Sequence, residues 1–257
     1  MKTRKATTLT LALFCLSLQA VAAVGNDGDK HGKGVQRWKN GDCYEGAFVN
    51  GQREGYGRYS WAEGDVYQGG FKDGQQEGFG CAFYADRCNT YEGGWKQGKR
   101  HGHGKLTWAN GDTYEGEWVE DVREGEGMFT AANGDRYVGH YENNLRNGYG
   151  VYHYSNGDVY AGQWVNGEKE GLGKYTYANG DTYEGVFVNS RIEGLGTFVW
   201  ASGATYTGQF KADMRNGAGT YTTASGKVIA GNWKDNRFIG DINGASAGSH
   251  EALYTPF

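Results

Sequence analysis

Eight tyrosines stand at an almost fixed interval along this chain, and that interval constrains the fold more than any other feature. Tyr44, Tyr67, Tyr91, Tyr114, Tyr137, Tyr160, Tyr183 and Tyr206 are 23 residues apart, with a single step of 24. Each opens the pattern Tyr-x-Gly-x-aromatic, as in Tyr44-Glu45-Gly46-Ala47-Phe48 and Tyr114-Glu115-Gly116-Glu117-Trp118. A ninth copy keeps the frame with Ile229 in place of tyrosine, ending at Trp233. Two further registers share the period. Gly-x-Gly recurs from Gly32/Gly34 to Gly217/Gly219, and Gly240 stands where another would begin. Asn-Gly-Asp recurs at Asn40, Asn110, Asn133, Asn156 and Asn179, with Glu63-Gly64-Asp65 in the same place. Three registers on one period make this a repeat protein.

Asn-Gly between alternating aromatic runs is a hairpin signal, because both residues tolerate positive φ. In the stretch 174–187, Tyr175 and Tyr177 alternate with Lys174 and Thr176, and Tyr183, Gly185 and Phe187 alternate with polar residues or Val186. Each strand therefore has an aromatic-and-glycine face and a mainly polar face. The turn is predicted at Asn-Gly, and Gly-x-Gly is predicted to let the chain reverse and step onward. The 46 Gly, 19 Tyr and 8 Trp, with the single Pro256, suit tight turns between aromatic strands rather than collagen or a flexible linker. A hairpin of this size cannot cover its own aromatic face, so neighbouring repeats must cover it. The expected fold is all-β, an elongated, open, single-layer solenoid of about nine stacked antiparallel β-hairpins over residues 31–240.

The chain ends differ from the array. Lys2, Arg4 and Lys5 precede an apolar stretch from Leu9 to Leu18 and the small residues Ala20-Val21-Ala22-Ala23. Residues 1–23 read as a secretory signal peptide cleaved near Ala22/Ala23, which predicts a periplasmic or secreted protein. Residues 24–30 form a short N-terminal segment and 241–257 a C-terminal tail. Removing the three basic residues takes Lys plus Arg from 26 to 23 against 30 Asp plus Glu, so the net charge goes from −4 to −7. No basic block remains, which excludes nucleic acid as a partner. Cys81 and Cys88 flank the one irregular turn, and an oxidising compartment predicts a disulfide between them, leaving Cys43 odd.

The chemistry-bearing motifs are weak. Gly244-Ala245-Ser246-Ala247-Gly248 has the form of a serine-hydrolase elbow, but only His250 and Glu251 follow it, in a Gly/Ser tail. His101 and His103 lie within one Gly-x-Gly step, without a further ligand near in sequence. Glu54, Glu77, Glu124, Glu170 and Glu193 share one repeat position and are predicted to form a solvated face with local ion pairs. Such repetition argues against an active site, which is usually single. No catalytic residue, metal ligand or cofactor is assigned, and the chain is expected not to be an enzyme. The predicted binding residues are the aromatic row that recurs four residues after Gly-x-Gly and breaks at Ala131 and Thr223: Trp38, Trp61, Tyr84, Trp108, Tyr154, Tyr177 and Trp200. A single-layer sheet has no second layer to cover such a row, and aromatic rings are frequent contact anchors.

The stretches Tyr91 to Gly104 and Tyr160 to Gly173 follow Tyr-x-Gly-x-Trp-x-x-Gly-x-x-x-Gly-x-Gly throughout. This resembles the MORN repeat (membrane occupation and recognition nexus), and the resemblance covers about residues 31–240. It implies an open, elongated hairpin array and roles in protein–protein contact, oligomerisation and membrane association. Asp121, Asn144, Ser190 and Asp213 depart from the glycine seen as Gly51, Gly74 and Gly98. The expected function is an extracytoplasmic MORN-repeat scaffold that binds a protein partner, with self-association included. The alternative is a binder of membrane lipid or envelope glycan through the aromatic face.

Overall fold

The computed structural model describes residues 31–241. They form a single sheet of 19 strands. It starts with β1 (Gly32–Arg37), β2 (Cys43–Val49) and β3 (Gln52–Ser60), and its nineteenth strand is Arg237–Gly240. Each strand pairs antiparallel with the next in sequence, so the sheet is one long meander, an elongated array of stacked hairpins. The expected all-β, open, single-layer fold is the one observed.

The two edges of the sheet carry different turns. At one edge the turns have two residues, both at positive φ: Asn50 (51°) and Gly51 (76°), then Asp73 and Gly74, Gln97 and Gly98, and onward to Asp235 and Asn236. Two adjacent left-handed residues match the right-handed twist of the flanking strands. This explains why Asn144, Asp121 and Asp213 replace glycine here, since Asn and Asp are the side chains that best tolerate left-handed backbone.

At the other edge lies Asn-Gly-Asp, in a longer loop. Gly41 N–H donates to Trp38 O, and Trp38 N–H donates to Asp42 O. Only the glycine of this loop has positive φ, 102° at Gly41, and Asn40 does not. The predicted Asn-Gly two-residue turn is thus corrected. The Asn serves through its side chain, whose Oδ1 accepts the Asp42 N–H.

Gly-x-Gly is not the reversal point either. Gly55 and Gly57 lie within β3. Gly46 pairs with Gly57 but Phe48 pairs with Arg53, so β3 bulges by two residues at Glu54-Gly55. Gly55 takes φ 69° there. The glycines that pair, Gly46 and Gly57, are needed for a different reason. The Tyr44 ring lies flat across both, and a Cβ on either would overlap it.

That tyrosine row is the core. Tyr44 is fully buried, as are its counterparts in the next seven repeats. Each hydroxyl donates to the carbonyl three residues on, from Tyr44 to Ala47 through Tyr206 to Gln209. Each ring meets the aromatic residue of its own repeat and that of the next edge to face. Tyr44 sits 5.0 Å from both Phe48 and Phe71, and Tyr67 sits 5.2 Å from Phe71 and 5.1 Å from Trp95. A continuous zipper of rings replaces the second layer that a sheet usually needs.

The opposite, back face stays open. The middle residue of Gly-x-Gly points there, leaving Tyr149 59%, Leu172 70% and Leu195 67% exposed.

The predicted Cys81–Cys88 disulfide is not formed. Cys81 lies within the strand Gln75–Tyr84, opposite Glu92, while Cys88 lies in the edge loop and takes the left-handed position at φ 51°. Three strand residues from Cys81 to Tyr84 already span about 10 Å. That exceeds the reach of a disulfide, whose Cα atoms lie within about 7 Å.

Candidate functional site

Carboxylates at both edges tie successive repeats together, with Asn89 in the aspartate position of the third loop. In the long loops, Asp42 accepts the Ala62 N–H at 2.9 Å. Asp65, Asp112, Asp135, Asp158 and Asp181 do the same for the loop that follows each of them. At the other edge, Glu54 accepts the Asp73 N–H, and Glu77, Glu124, Glu170 and Glu193 accept the equivalent N–H of the next two-residue turn. The glutamates predicted to be solvated ion-pair partners are therefore structural acceptors for backbone donors of the next turn. A tyrosine hydroxyl and the Ala62 and Asn40 bonds hold the Asp42 carboxyl below the usual range. Asp135 is lowered first by the Ser155 N–H.

A row of cations crosses the aromatic face two residues after the short turns. Arg53, Arg100, Arg123, Arg146, Lys169 and Arg215 lie over the rings of their own and the next repeat. Arg100 is 4.3 Å from the Trp118 ring, Arg146 4.3 Å from Trp164 and Arg215 4.6 Å from Trp233. The guanidinium groups of Arg123, Arg146 and Arg215 also donate to carbonyls of the next turn at 2.8 Å. Arg100 is held by Asp121 at 2.8 Å. Burial lowers the Lys169 pKa. Sequence reasoning missed this row, although the basic residues recur on the same period as the tyrosines.

The predicted row of Trp38, Trp61, Tyr84, Trp108, Tyr154, Tyr177 and Trp200 opens the long loops. All seven side chains are half-buried and pack against the core. They alternate with a second row two residues earlier. Tyr59 lies 5.4 Å from Trp38 and 4.5 Å from Trp61, and Tyr175 lies 5.8 Å from Tyr154 and 4.6 Å from Tyr177. The row is thus both packing and accessible surface. The structure gathers three members, Trp61, Tyr84 and Trp108, along an open cavity of about 960 Å³. Trp95 and Trp118 also line it, as do Arg100, Arg123 and Asp121 from the short-turn side. Trp38, Tyr154, Tyr177 and Trp200 lie outside it.

The cavity arises from a local change in the second row. Tyr59, Phe129, Tyr152, Tyr175, Phe198 and Tyr221 place a ring at that position, but Ala82 and Leu106 do not. Rings on one side and guanidinium groups on the other suit it to recognition. The histidines give no catalytic pairing. His103 is exposed at the centre of its Gly-x-Gly, and Gly102, at φ 72°, breaks the alternation between it and His101. The Gly244 to Gly248 motif lies outside the described residues.

Comparison with known proteins agrees with this geometry. A family model described as MORN repeat matches nine successive segments: 26–43, 44–66, 67–88, 91–113, 114–136, 137–159, 160–182, 183–205 and 206–228. No curated protein matches the chain. Among solved structures it is similar to the TCP10 domain of CPAP from Danio rerio. The E1021V mutant is 13% identical, with 77% of this chain and 99% of that chain covered at a TM-score of 0.43. The wild-type domain is 15% identical over the same shares, at 0.40. The TCP10c domain of Drosophila melanogaster Sas-4 is 14% identical, with 61% of this chain and 93% of that chain covered at 0.36. With nine matched segments spanning most of its length, the chain belongs to the MORN-repeat family.

Proposed function

We propose that this MORN-repeat chain is an extracytoplasmic, non-catalytic scaffold that binds another protein along its aromatic face. The observation that carries the reading is the open cavity where half-buried Trp61, Tyr84 and Trp108 face Arg100 and Arg123. Trp, Tyr and Arg dominate the energetics of protein interfaces because they offer large contact area and directed polar groups. The test is capture of partners from the native envelope fraction by wild-type protein and by Trp61→Ala/Trp108→Ala. The double variant should weaken the captured partner about 30-fold, corresponding to ~2 kcal/mol. A double variant with native circular dichroism and undiminished capture places the interface elsewhere.

The location rests on residues 1–23, which lie outside the described residues. Their basic start, apolar stretch and small residues support export. Mass spectrometry of the mature protein should find a new N-terminus near Val24, and an intact Met1 chain would refute it.

A second reading, attachment to an envelope surface, is favoured by exposed Tyr149, Leu172 and Leu195 on the back face. Co-sedimentation with neutral vesicles and with peptidoglycan separates it from protein binding.

A further inference from the structure

The cavity beneath Trp61 and Tyr84 reproduces a position that a tyrosine of this same chain fills elsewhere. In the first repeat, Tyr59 lies between Trp38 and Trp61, 4.9 Å from the Arg53 guanidinium, and donates its hydroxyl to Asp42 Oδ2 at 2.7 Å. Tyr152 donates to Asp135 at 3.0 Å and Tyr175 to Asp158 at 2.8 Å in the same way. Where the ring is Phe129 or Phe198, the loop asparagine supplies the donor instead, Asn110 to Asp112 at 2.8 Å and Asn179 to Asp181 at 3.0 Å.

Asp65 has neither arrangement. Its loop reads Glu63-Gly64-Asp65, so no asparagine amide is present, and the residue in the tyrosine position is Ala82. Asp65 Oδ1 accepts the Ala85 N–H at 2.8 Å, as its counterparts do. Among the described residues, no side chain donates to its second oxygen. The flanking rings remain in place as Trp61 and Tyr84, and Gln76 stands at the repeat position of Arg53, while Arg87 and Arg100 line the same cavity. The lining therefore presents two aromatic walls, a small floor at Ala82 and a carboxylate acceptor at the depth of a phenol oxygen.

We infer that this slot takes a tyrosine side chain of the bound protein, its ring between Trp61 and Tyr84 and its hydroxyl donating to Asp65. The inference rests on the scaffold reading and names the residue that the scaffold recognises. The site is specified by the chain's own chemistry three times over, at Tyr59, Tyr152 and Tyr175. A phenol is favoured over a plain ring because the carboxylate gains a charge-assisted hydrogen bond. It is favoured over an aliphatic side chain because both walls are rings.

The test uses 4-methylphenol and toluene as probes with the purified protein, read by ligand-observed NMR. Wild-type protein should bind 4-methylphenol at least about tenfold more tightly than toluene. Asp65→Ala should bring the two probes level. Ala82→Tyr supplies the missing ring, so it should raise the unfolding temperature and abolish 4-methylphenol binding, separating lost binding from lost fold. Equal affinity of wild type for both probes overturns the inference. So does 4-methylphenol binding retained by folded Ala82→Tyr. Capture from the envelope fraction distinguishes the source. A partner held equally by wild type and Ala82→Tyr overturns the tyrosine while leaving the scaffold standing. Phenol binding with no captured partner overturns the scaffold reading and the tyrosine with it.

Discussion

A residue in this array is fixed by what the neighbouring repeat places on top of it. Gly127 shows this. A Cβ there would meet the Tyr114 ring at 2.6 Å, within a buried zipper that has no room to shift. Gly127→Ala should therefore cost about 3 kcal/mol in a urea titration, through overpacking. Gly203 is the contrast. Its φ is +88°, but a Cβ placed there would find nothing within 4 Å, so Gly203→Ala should cost only about 1 kcal/mol of backbone strain. Equal costs at the two sites would refute the distinction. Tyr137→Phe removes the hydroxyl that donates to His140 O and should cost about 1 kcal/mol. At this scale the sequence showed which residues recur but not why. Tyrosine and glycine shared one period, which signalled contact. That the tyrosine lies flat over a glycine pair depends on register across two strands, and no single strand displays it. The candidate site was half legible for the same reason. The Trp61 and Trp108 row stood out as repeated aromatics, whereas Ala82 and Leu106, which open the cavity, register only as rings that are missing.

A hairpin is the unit of folding, but the sequence pattern points its tight turns to the wrong edge. Asn-Gly is a strong hairpin signal, and five copies of it suggest a two-residue turn at Asn40, Asn110, Asn133, Asn156 and Asn179. The tight turns lie instead at pairs such as Asn143-Asn144 and Ala212-Asp213, whose composition varies from repeat to repeat. What Asn-Gly-Asp keeps constant along the array is the aspartate and its bond to the next loop. Asp112→Ala should thus cost about 1 kcal/mol, through loss of the acceptor for the Ala132 N–H. The same stitches set the acid limit. Hydrogen bonds hold Asp42 and Asp135 below the ordinary carboxylate pKa in the folded array. Their contribution is complete above the unfolded value of about 3.9 and is lost as pH falls through the lower folded value. Urea midpoints measured from pH 6 downward should fall below about pH 4, less steeply in Asp135→Ala than in wild type. An acid limb unchanged in that variant would assign the loss to other carboxylates.

The described residues form a meander in which each repeat packs on the next, so its length grows with repeat number. Small-angle scattering should give a radius of gyration well above the ~18 Å of a compact chain of this size. A compact value would contradict the open sheet. This property was legible from the period alone, since a 23-residue unit that cannot cover its aromatic face must borrow a neighbour. The buried tyrosines set a limit at the alkaline end. Burial pushes Tyr44, Tyr141, Tyr177 and Tyr206 up to about 12. Folding therefore holds protons that the unfolded chain releases near pH 10, and stability is lost as pH rises from there through the folded values. The tyrosinate signal of the buried row, isolated in a Tyr56→Phe/Tyr149→Phe background, should rise together with loss of circular dichroism, and a rise there that precedes unfolding would mean the rings are reached without opening the array. The carboxylate stitches carry one last consequence. In the short turns Asp121 and Asp213 accept from the repeat before, but the loop aspartates and the turn glutamates accept from the repeat that follows. These stitches have an arrow, and the arrow points the way the ribosome writes. A hairpin that follows both Asp42 and Glu54, as it emerges, finds two acceptors already set by its predecessor, so the array can lengthen like a wall laid course upon course.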